Sequence, residues 1–354
     1  MKGFEGNIAV VPETNGWGSN VYSVGNYLNA DSESLTIGQE FKDRPDKLVY
    51  GRGDKPNSRT KGAQKPGGDV EFQFRSDDCL PILMAHFQKY IGSTLGGTAT
   101  GTVLYTFVPT RTNPDWVGST FGTGEYTSSS GDGYTVGVIK KFKPTSAGTD
   151  NAQWFSSCIV DQLGFNLDAD EDAKFTPSFK SYSVDEGTRL AVDPPNAVFG
   201  SYSEKSAFDS FSGTLSIGGK TTFKVTSFSF TSANNSEDRS SIGYINPQDY
   251  DFGKYGLTGV MQIDAPNDAL SHIGSMVADK TFAITGTLFN SINDQVTINM
   301  PYLRYDPFDV NLAGGNAQTE YGLPFKAFES QNGSTAPIII KVRTTGMGSA
   351  FTKS

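Results

Sequence analysis

Two stretches of the sequence are built alike: residues 68–88 read GDVEFQFRSDDCLPILMAHFQ and residues 259–277 read GVMQIDAPNDALSHIGSMV. Each begins with glycine and a short alternating run, passes through a break that contains aspartate, and ends in apolar residues at helical spacing. Alternation indicates a strand with one buried face. Apolar residues three and four positions apart indicate a helix with one buried face. The sequence therefore predicts the same strand-to-helix unit twice, about 190 residues apart.

The first copy predicts which side chains of the unit face inward. In the strand 69–74, apolar residues alternate with the polar residues Asp69, Glu71 and Gln73. Asp78 suits a helix N-terminus, and a proline is tolerated in a first turn. The predicted apolar helix face consists of Leu80, Leu83, Met84, Phe87 and Ile91. In the second copy, a helix is predicted to open near Pro266, with Leu270, Ile273 and Val277 on its apolar face.

The other predicted strands follow the same order in both halves of the chain. They are 33–38, 102–108, 134–142 and 154–167 in the first half, and 223–230, 256–263, 281–289, 296–305, 320–328 and 336–342 in the second. A long polar segment precedes the strand-to-helix unit each time, and a sequence rich in Pro, Gly and Ser interrupts the pattern near residues 190–205. We therefore expect two tandem, mainly β domains, 1–195 and 196–354, each a sandwich or barrel with one flanking α-helix.

Composition and charge exclude several classes of protein. The 354 residues carry a net charge of −9, which disfavours a protein that grips nucleic acid. The chain has neither the apolar stretch of a signal peptide nor a membrane-spanning run, so we expect folding in a cytoplasm and no membrane partner. Its two cysteines, Cys79 and Cys158, lack metal-ligand spacing. Buried free thiols are expected, although a disulfide between them stays open.

The two long polar segments differ in charge. Residues 42–67 carry a net charge of +5, which leaves −14 for the rest of the chain. The basic residues of this segment are Lys42, Arg44, Lys47, Arg52, Lys55, Arg59, Lys61 and Lys65. Residues 233–255 carry −2, with acidic residues Glu237, Asp238, Asp249 and Asp251. The basic segment has three alternative interpretations: it docks onto an acidic surface of another subunit, it is a solvated loop, or it binds nucleic acid.

No motif indicates catalysis, a cofactor or a metal site. The stretch 212–222 lacks the first glycine of a phosphate-binding loop and is expected to be a hairpin with a Gly-Gly turn. The acidic run 168–172 lacks the glycine and the final glutamate of a calcium loop. The two histidines, His86 and His272, have no motif-placed partner and are expected to be structural. We therefore expect no enzyme activity.

Several stretches together resemble the tail tube proteins of long-tailed bacteriophages, in the group with two tube domains in one chain. They are FEGNIAVVPETNGWG (4–18), the strand-to-helix unit, WFSSCIVDQLGFNLDADEDAKFTPSF (154–179) and INMPYLRYDPFDVNLAGGNAQTEYGLPFKAF (298–328). The resemblance implies two tail-tube-like domains, trimeric rings with pseudo-sixfold symmetry, and stacking of the rings into a hollow tube. Its implied partners are other copies of the chain, a tape-measure protein, and tail terminator and baseplate or tip proteins.

The resemblance also implies a place for each charged segment. DNA passes through the channel without specific binding, and the long segments reach the neighbouring ring, so the charged residues given above become inter-ring loop candidates. Asp69, Glu71 and Gln73 become candidates for the channel lining, which we expect to be acidic. The implied location is the tail of a siphovirus-like virion, assembled in the host cytoplasm, and family analogy favours a non-contractile tail. Alternatives are a tail terminator or baseplate hub component with the same fold, a carbohydrate-binding β-sandwich, and a hydrolase of two β domains.

Overall fold

The computed structural model describes residues 6–13, 24–43, 59–88, 90–94, 102–109, 134–142, 151–185, 198–202, 205–210, 213–219, 225–242, 244–247, 249–263, 274–307, 321–330 and 335–345. The chain is mainly β, as predicted, with large antiparallel sheets. Its strands are β1 (Gly6–Pro12), β2 (Val24–Leu28), β3 (Ala30–Glu33), β4 (Gln39–Asp43), β5 (Arg59–Gln64), β6 (Gly67–Gln73), β7 (Tyr90–Thr94), β8 (Thr102–Phe107), β9 (Val136–Phe142), β10 (Asn151–Asp168), β11 (Lys174–Lys180), β12 (Ser183–Asp185), β13 (Val198–Tyr202), β14 (Gly213–Ile217), β15 (Val225–Ala233), β16 (Glu237–Arg239), β17 (Asp249–Asp251), β18 (Gly256–Ile263), β19 (Phe282–Ser291), β20 (Asp294–Tyr305), β21 (Tyr321–Ala327) and β22 (Ile339–Thr345). The helix α1 spans Cys79–Phe87.

Four strands of each half are arranged in the same order. In the first half, antiparallel pairing gives the order β3–β6–β11–β10. In the second half, it gives β15–β18–β21–β20. The predicted strand 33–38 is wrong in its bounds, because the regular strand β3 spans Ala30–Glu33 and shares only Glu33 with it. Pairing with β6 continues beyond Glu33 through a bridge between Thr36 and Gly67. The repeat inferred from the sequence is therefore also a repeat of strand order.

The two groups of four strands form one sheet, because β10 pairs with β15 from Gln162–Ala233 to Asp168–Ser227. Two further pairings cross between the halves: β22 lies antiparallel to β8, and β13 lies parallel to β2. A connection of this kind makes the halves share backbone hydrogen bonds. The division into domains at residues 195 and 196 stays a prediction.

Strand β10 links two layers of the fold. Its first part, up to Cys158, pairs with β9 and β12 in a layer that also contains β1, β2 and β13. Its second part pairs with β11 and β15. The change occurs at Ser157, whose φ of 47° is left-handed, next to a register shift between Phe155 and Cys158. Irregularities of this kind bend a strand, which lets one strand serve both layers.

Aromatic side chains fill the core behind the shared sheet. Phe74 lies at ring-centroid distances of 4.1 Å from Phe175 and 5.3 Å from Phe208. Phe165 of β10 stacks on Phe230 of β15 at 5.2 Å, so the core is continuous across the junction of the two halves. Offset or tilted aromatic pairs at such distances stabilise a core beyond simple burial.

Helix α1 is buried on every side, not on one face only. All nine of its residues are buried, so it lies inside the fold and does not merely cover a sheet. It ends one turn earlier than predicted, because Gln88 adopts a left-handed conformation with φ of 57° and its N–H donates to the Met84 carbonyl at 2.9 Å. Ile91, predicted for the helix face, lies in β7 instead.

The second helix is described only at residues 274–277. Val277, predicted for its apolar face, is 77% exposed and stands just before Asp279, whose φ of 47° ends the helical turn. Leu270 and Ile273 lie outside the described residues. Gly218 and Gly219 after β14 both have positive φ, a conformation that favours glycine, so the predicted Gly-Gly turn is present. The predicted hairpin over 212–222 stays a prediction, because residues 220–222 lie outside the described residues and β14 pairs with β19.

Candidate functional site

The first candidate surface is the face of the shared sheet that points away from the core, which we call the exposed sheet face. Val70 and Phe72 of β6 and the following Phe74 are fully buried, while Asp69, Glu71 and Gln73 point to the opposite side. The alternation predicted for this strand is confirmed. Partners in antiparallel strands place their side chains on one face. Register therefore adds these residues to the exposed sheet face: Lys174, Thr176, Ser178, Gln162, Asn166, Asp168, Ser227, Ser229, Thr231, Thr258, Val260, Gln262, Lys326 and Arg304.

Charge on the exposed sheet face is divided between the halves of the chain. In the first half, the Lys174 ammonium lies 4.0 Å from Asp31 and 3.9 Å from Glu71. In the second half, the described charges are cationic at Lys326 and Arg304. Most other side chains carry hydroxyl or amide groups. The face is therefore polar with mixed charge, and less acidic than the sequence led us to expect for a channel lining.

The second candidate surface is a pair of small sheets outside the main one, formed by the two long polar segments. We call the β4–β5 pair arm 1, and β16 and β17 with residues 240–247 arm 2. The arms touch each other: the Gln64 N–H donates to the Ile245 carbonyl at 2.8 Å, and Lys65 Nζ lies 3.4 Å from Asp238 Oδ2. The sequence predicted two long polar segments and no contact between them; the structure joins them within one chain.

The predicted inter-ring loop residues are distributed over both arms. Lys42 and Arg59 belong to β4 and β5, Lys61 is exposed on β5, and Lys65 follows that strand. Glu237 and Asp238 lie in β16, and Asp249 and Asp251 lie in β17. Arg239 forms ion pairs with Asp249 and Asp251 inside arm 2. Arg44, Lys47, Arg52 and Lys55 lie outside the described residues.

Buried polar contacts fix the base of arm 2 to the body of the protein. Tyr250 is 2% exposed, and its hydroxyl donates to the Ser181 carbonyl at 2.7 Å. Burial raises the pKa of the Tyr250 hydroxyl, which therefore stays a donor. The Ser236 N–H donates to Asp161 Oδ1 at 2.7 Å, and Lys180 Nζ lies 3.2 Å from Asp161 Oδ2. Arm 2 therefore has a defined position at its base.

Sequence reasoning missed the apolar side chains of arm 2. Ile242, Tyr244 and Ile245 are 104%, 63% and 51% exposed, within a segment that the sequence analysis treated as polar. Large apolar side chains grouped on a surface mark interaction sites more often than isolated ones do. The sequence does show three apolar residues within four positions of an otherwise polar segment, and this grouping could have indicated the exposed apolar side chains.

The histidine that the structure describes is structural. His86 is fully buried, with Nδ1 3.0 Å from the Val160 carbonyl and Nε2 2.6 Å from Ser232 Oγ. Because the Val160 carbonyl can only accept, Nδ1 carries the proton and Nε2 accepts a hydrogen bond from the Ser232 hydroxyl. The Ser232 oxygen is also hydrogen-bonded to the Tyr255 hydroxyl. Burial lowers the pKa of His86 to about 4. A serine beside a histidine suggests a nucleophile, but this pair has no access to substrate.

A second buried cluster joins the start of α1 to the second half of the chain. Lys205 Nζ donates to Ser76 Oγ at 3.1 Å and lies 3.9 Å from Asp294 Oδ1. Asp78 is 2% exposed, and neither of its carboxyl oxygens has a hydrogen-bond partner. Burial, followed by repulsion from Asp77, raises the pKa of Asp78 to about 7, although Arg75 Nη1 lies 3.8 Å away. The predicted helix start at Asp78 is confirmed, without a side-chain cap.

A cavity of about 440 Å³ opens between the end of β10 and strands β14, β15 and β19. Its walls include Phe165 and Leu288, and its rim carries Asp168 and Asp170. The Asp168 carboxylate accepts from Asn166 Nδ2 at 2.6 Å, and the following residues form an exposed turn. Among the described residues, no three His, Cys, Asp or Glu side chains are grouped as metal ligands.

Cys79 and Cys158 are buried free thiols, as expected from the sequence, and form no disulfide with each other. Burial raises the pKa of each thiol, so both are poor nucleophiles. In the part of the chain that the structure describes, no helix is long and apolar enough to span a membrane.

Comparison with protein families identifies the class of this chain. The family described as phage tail tube protein matches residues 3–327, which is nearly the whole sequence. The chain belongs to the phage tail tube protein family. Proteins of this family are structural rather than enzymatic components of the virion, and they assemble with copies of themselves into a tube. Comparison with curated proteins gives no match.

Proposed function

We propose that this chain is the major tail tube subunit of a siphovirus-like, non-contractile tail. Three copies form a ring with pseudo-sixfold symmetry, and rings stack into a hollow tube through which DNA passes during genome ejection. The tube encloses a tape-measure protein during assembly in the host cytoplasm and joins terminator and baseplate or tip proteins at its ends.

The observation that carries the proposal is the repeated strand order. The groups β3–β6–β11–β10 and β15–β18–β21–β20 are joined edge to edge by β10 and β15. Among the described strands, β3 pairs with β6 alone, so its other edge is open. At the other end, β20 pairs with β19 as far as Leu303, so its edge is open from Arg304 onward. A sheet made of two units with the same strand order and an open edge at each end favours addition of the next unit in the same way. Three chains then supply six equivalent groups.

The internal junction supplies a register for the junction between chains. Within the chain, Gln162 is the partner of Ala233. We match Gly67 with Gly256, the first residues of β6 and β18, so that Asp69 corresponds to Thr258. Their partners Ser178 and Lys326 then correspond, and Arg304 occupies the place of Gln162. Thr36 occupies the place of Ala233, since Thr36 bridges to Gly67 as Ala233 pairs with Gly256. The proposed junction therefore places Arg304 of one chain opposite Thr36 of the next.

The exposed sheet face becomes the channel lining in this arrangement, including Asp69, Glu71 and Gln73. Hydroxyl and amide side chains predominate on it, and its cations are few and partly engaged with protein partners, as in the bond from Arg304 to Asp279 at 2.8 Å. Phosphate contacts confer affinity for nucleic acid. A lining with few free cations therefore lets DNA move without being held.

A crosslinking experiment tests the proposed ring. The variant Thr36→Cys/Arg304→Cys should form disulfides between chains under mild oxidation, up to a covalent trimer on a non-reducing gel. The matched control Gln162→Cys/Ala233→Cys should form only a bond within one chain. The buried native cysteines do not compete. A native trimer without crosslinks between chains would refute the register.

Electron microscopy of the purified protein tests the tube itself. Hollow tubes, with a channel as wide as a DNA duplex, are the expected result. A monodisperse monomer that binds glycans would refute the function and favour the carbohydrate-binding alternative.

A further inference from the structure

The end of helix α1 contacts the second half of the chain, beside the pairing of β10 with β15. The His86 ring is fully buried, and its Nε2 lies 2.6 Å from Ser232 Oγ in β15. The Asn234 side chain, just after that strand, donates to the His86 carbonyl at 2.8 Å. A polar contact between a helix end and the neighbouring strand therefore seals the junction of the two halves on its core side.

The second helix ends in the same way as α1 but is not covered. Asp279 follows it with a left-handed φ of 47°, as Gln88 follows α1 with a φ of 57°. A left-handed residue after the last turn is a common helix end, so the two ends can be matched at these residues. Val277 then occupies the place of His86. His86 is fully buried, whereas Val277 is 77% exposed in the single chain.

The open edge of the first half carries apolar counterparts of the polar partners of His86. Thr36 corresponds to Ala233, so its neighbours Leu35 and Ile37 correspond to the two residues that contact the histidine. Side chains alternate along a strand, so these neighbours point to the core side, as those of Ala233 do. Leu35 is 5% exposed and Ile37 is half-buried, so Ile37 has surface left to cover.

The change from polar to apolar is therefore concerted. All three members of the contact within the chain have apolar counterparts at the edges that are open in the single chain. A lone apolar replacement would leave buried polar partners without hydrogen bonds, which costs free energy. Three apolar side chains that meet have no such cost and remove one another from water.

We propose that Val277 of each chain packs against Leu35 and Ile37 of the next chain in the same ring, and that this apolar contact seals the junction between chains. The inference rests on the trimeric ring proposed above. A second copy of the chain is the occupant, because the matching position of α1 is covered by the strand that continues the sheet.

The two kinds of junction then differ in chemistry although they share strand order. Hydrogen bonds to His86 close the junction within the chain, and apolar packing of Val277 closes the junction between chains. Each helix end favours its own partner, since an exchange would bury polar groups against apolar ones. A closed ring contains three polar and three apolar junctions in alternation.

Substitution of Val277 tests the contact. Because this side chain is exposed, Val277→Ser should leave the single chain folded, while the dissociation constant of each junction between chains should rise by about tenfold. Sedimentation velocity over a dilution series measures the trimer. The matched control Ile292→Ser removes a side chain that is 74% exposed between β19 and β20, and should leave the trimer unchanged. An unchanged trimer in Val277→Ser, or an equal loss in the control, would overturn the contact.

Crosslinking tests which residues meet. With a short bismaleimide, Val277→Cys/Ile37→Cys should give crosslinks between chains, up to a covalent trimer on a denaturing gel. The control Ile292→Cys/Ile37→Cys should give none. The buried native cysteines are protected from the reagent.

The outcomes separate this contact from the proposed function. Crosslinks between the strand edges in Thr36→Cys/Arg304→Cys, without crosslinks through Val277, would overturn the contact and leave the ring intact. Absence of both, together with a monomeric unsubstituted chain, would overturn the ring and the contact with it.

Discussion

Replacement of Asp78 by asparagine should stabilise the protein in a pH-dependent manner. The Asp78 carboxyl group is buried, accepts no hydrogen bond, and has a pKa raised from 3.8 to about 7. Because the pKa of Asp78 is higher in the folded chain than in the unfolded chain, the folded chain holds a proton on Asp78 at pH values between 3.8 and about 7, where the unfolded chain has lost it. The stability that protonation contributes is complete below pH 3.8 and is lost as the pH rises through 7.

The size of the effect follows from the pKa difference. Each pKa unit corresponds to about 1.4 kcal/mol, so ionised Asp78 destabilises the fold by about 4 kcal/mol well above neutral pH. Asparagine has the shape of the neutral acid and carries no charge. Asp78→Asn should therefore raise the free energy of unfolding by up to about 4 kcal/mol at pH 8.5, and by close to zero at pH 4.

Urea unfolding followed by fluorescence of the buried Trp154 measures this difference at both pH values, at protein concentrations below those that allow assembly. The control Asp69→Asn changes an exposed carboxylate and should shift stability by less than about 0.5 kcal/mol at either pH. An Asp78→Asn variant that is less stable than the parent at pH 8.5 would refute the reasoning, because burial would then not be the dominant cause.

Three other predictions concern two buried side chains and the charge of the basic segment 42–67. His86 has a pKa lowered from 6.5 to about 4, so its contribution to the free energy of unfolding is full above pH 6.5 and falls by up to about 3 kcal/mol as the pH decreases to 4. Urea unfolding of His86→Gln should lack this fall. The same pH dependence in the variant and the parent would contradict the prediction. Tyr250→Phe removes the hydrogen bond to the Ser181 carbonyl and should lower the free energy of unfolding by about 1 kcal/mol in the same assay. An unchanged free energy of unfolding would contradict this. Lys55→Glu/Arg59→Glu/Lys61→Glu should weaken tube growth, more at low salt, in light scattering; unchanged growth would exclude docking by charge.

Local patterns in the sequence predicted the local structure well. The alternation of Val70 and Phe72 with polar neighbours gave the correct faces of β6, because a strand exposes its two sides in turn. The helix end was wrong because Gln88 is held in a left-handed turn by tertiary contacts: its side chain donates to the Tyr134 carbonyl at 2.8 Å, a partner 46 positions away. No periodicity encodes such a contact.

Pairings between distant strands were beyond the sequence. The repeat gave the order of elements, but not that β22 pairs with β8 or that β10 pairs with β15, since edges of similar composition offer similar hydrogen bonds. The joining of the arms through Gln64 and Ile245 uses backbone groups, which every residue carries. Counting charges found the basic segment but missed the exposed apolar residues Ile242, Tyr244 and Ile245, because it considers ionised residues only.

The open edge of β3 is chemically protected in the free chain. Ser34 and Thr36 direct their N–H groups to β6, so the N–H of Leu35 points to the open side, where the Glu33 carboxylate accepts it at 2.9 Å. Unsatisfied N–H groups on an exposed edge recruit strands of any protein nearby. The Glu33 side chain occupies this donor through Oε2, while its Oε1 forms an ion pair with Lys140 of β9. A newly made subunit therefore carries its own protection against aggregation, which only a partner with a well-matched strand has the free energy to displace.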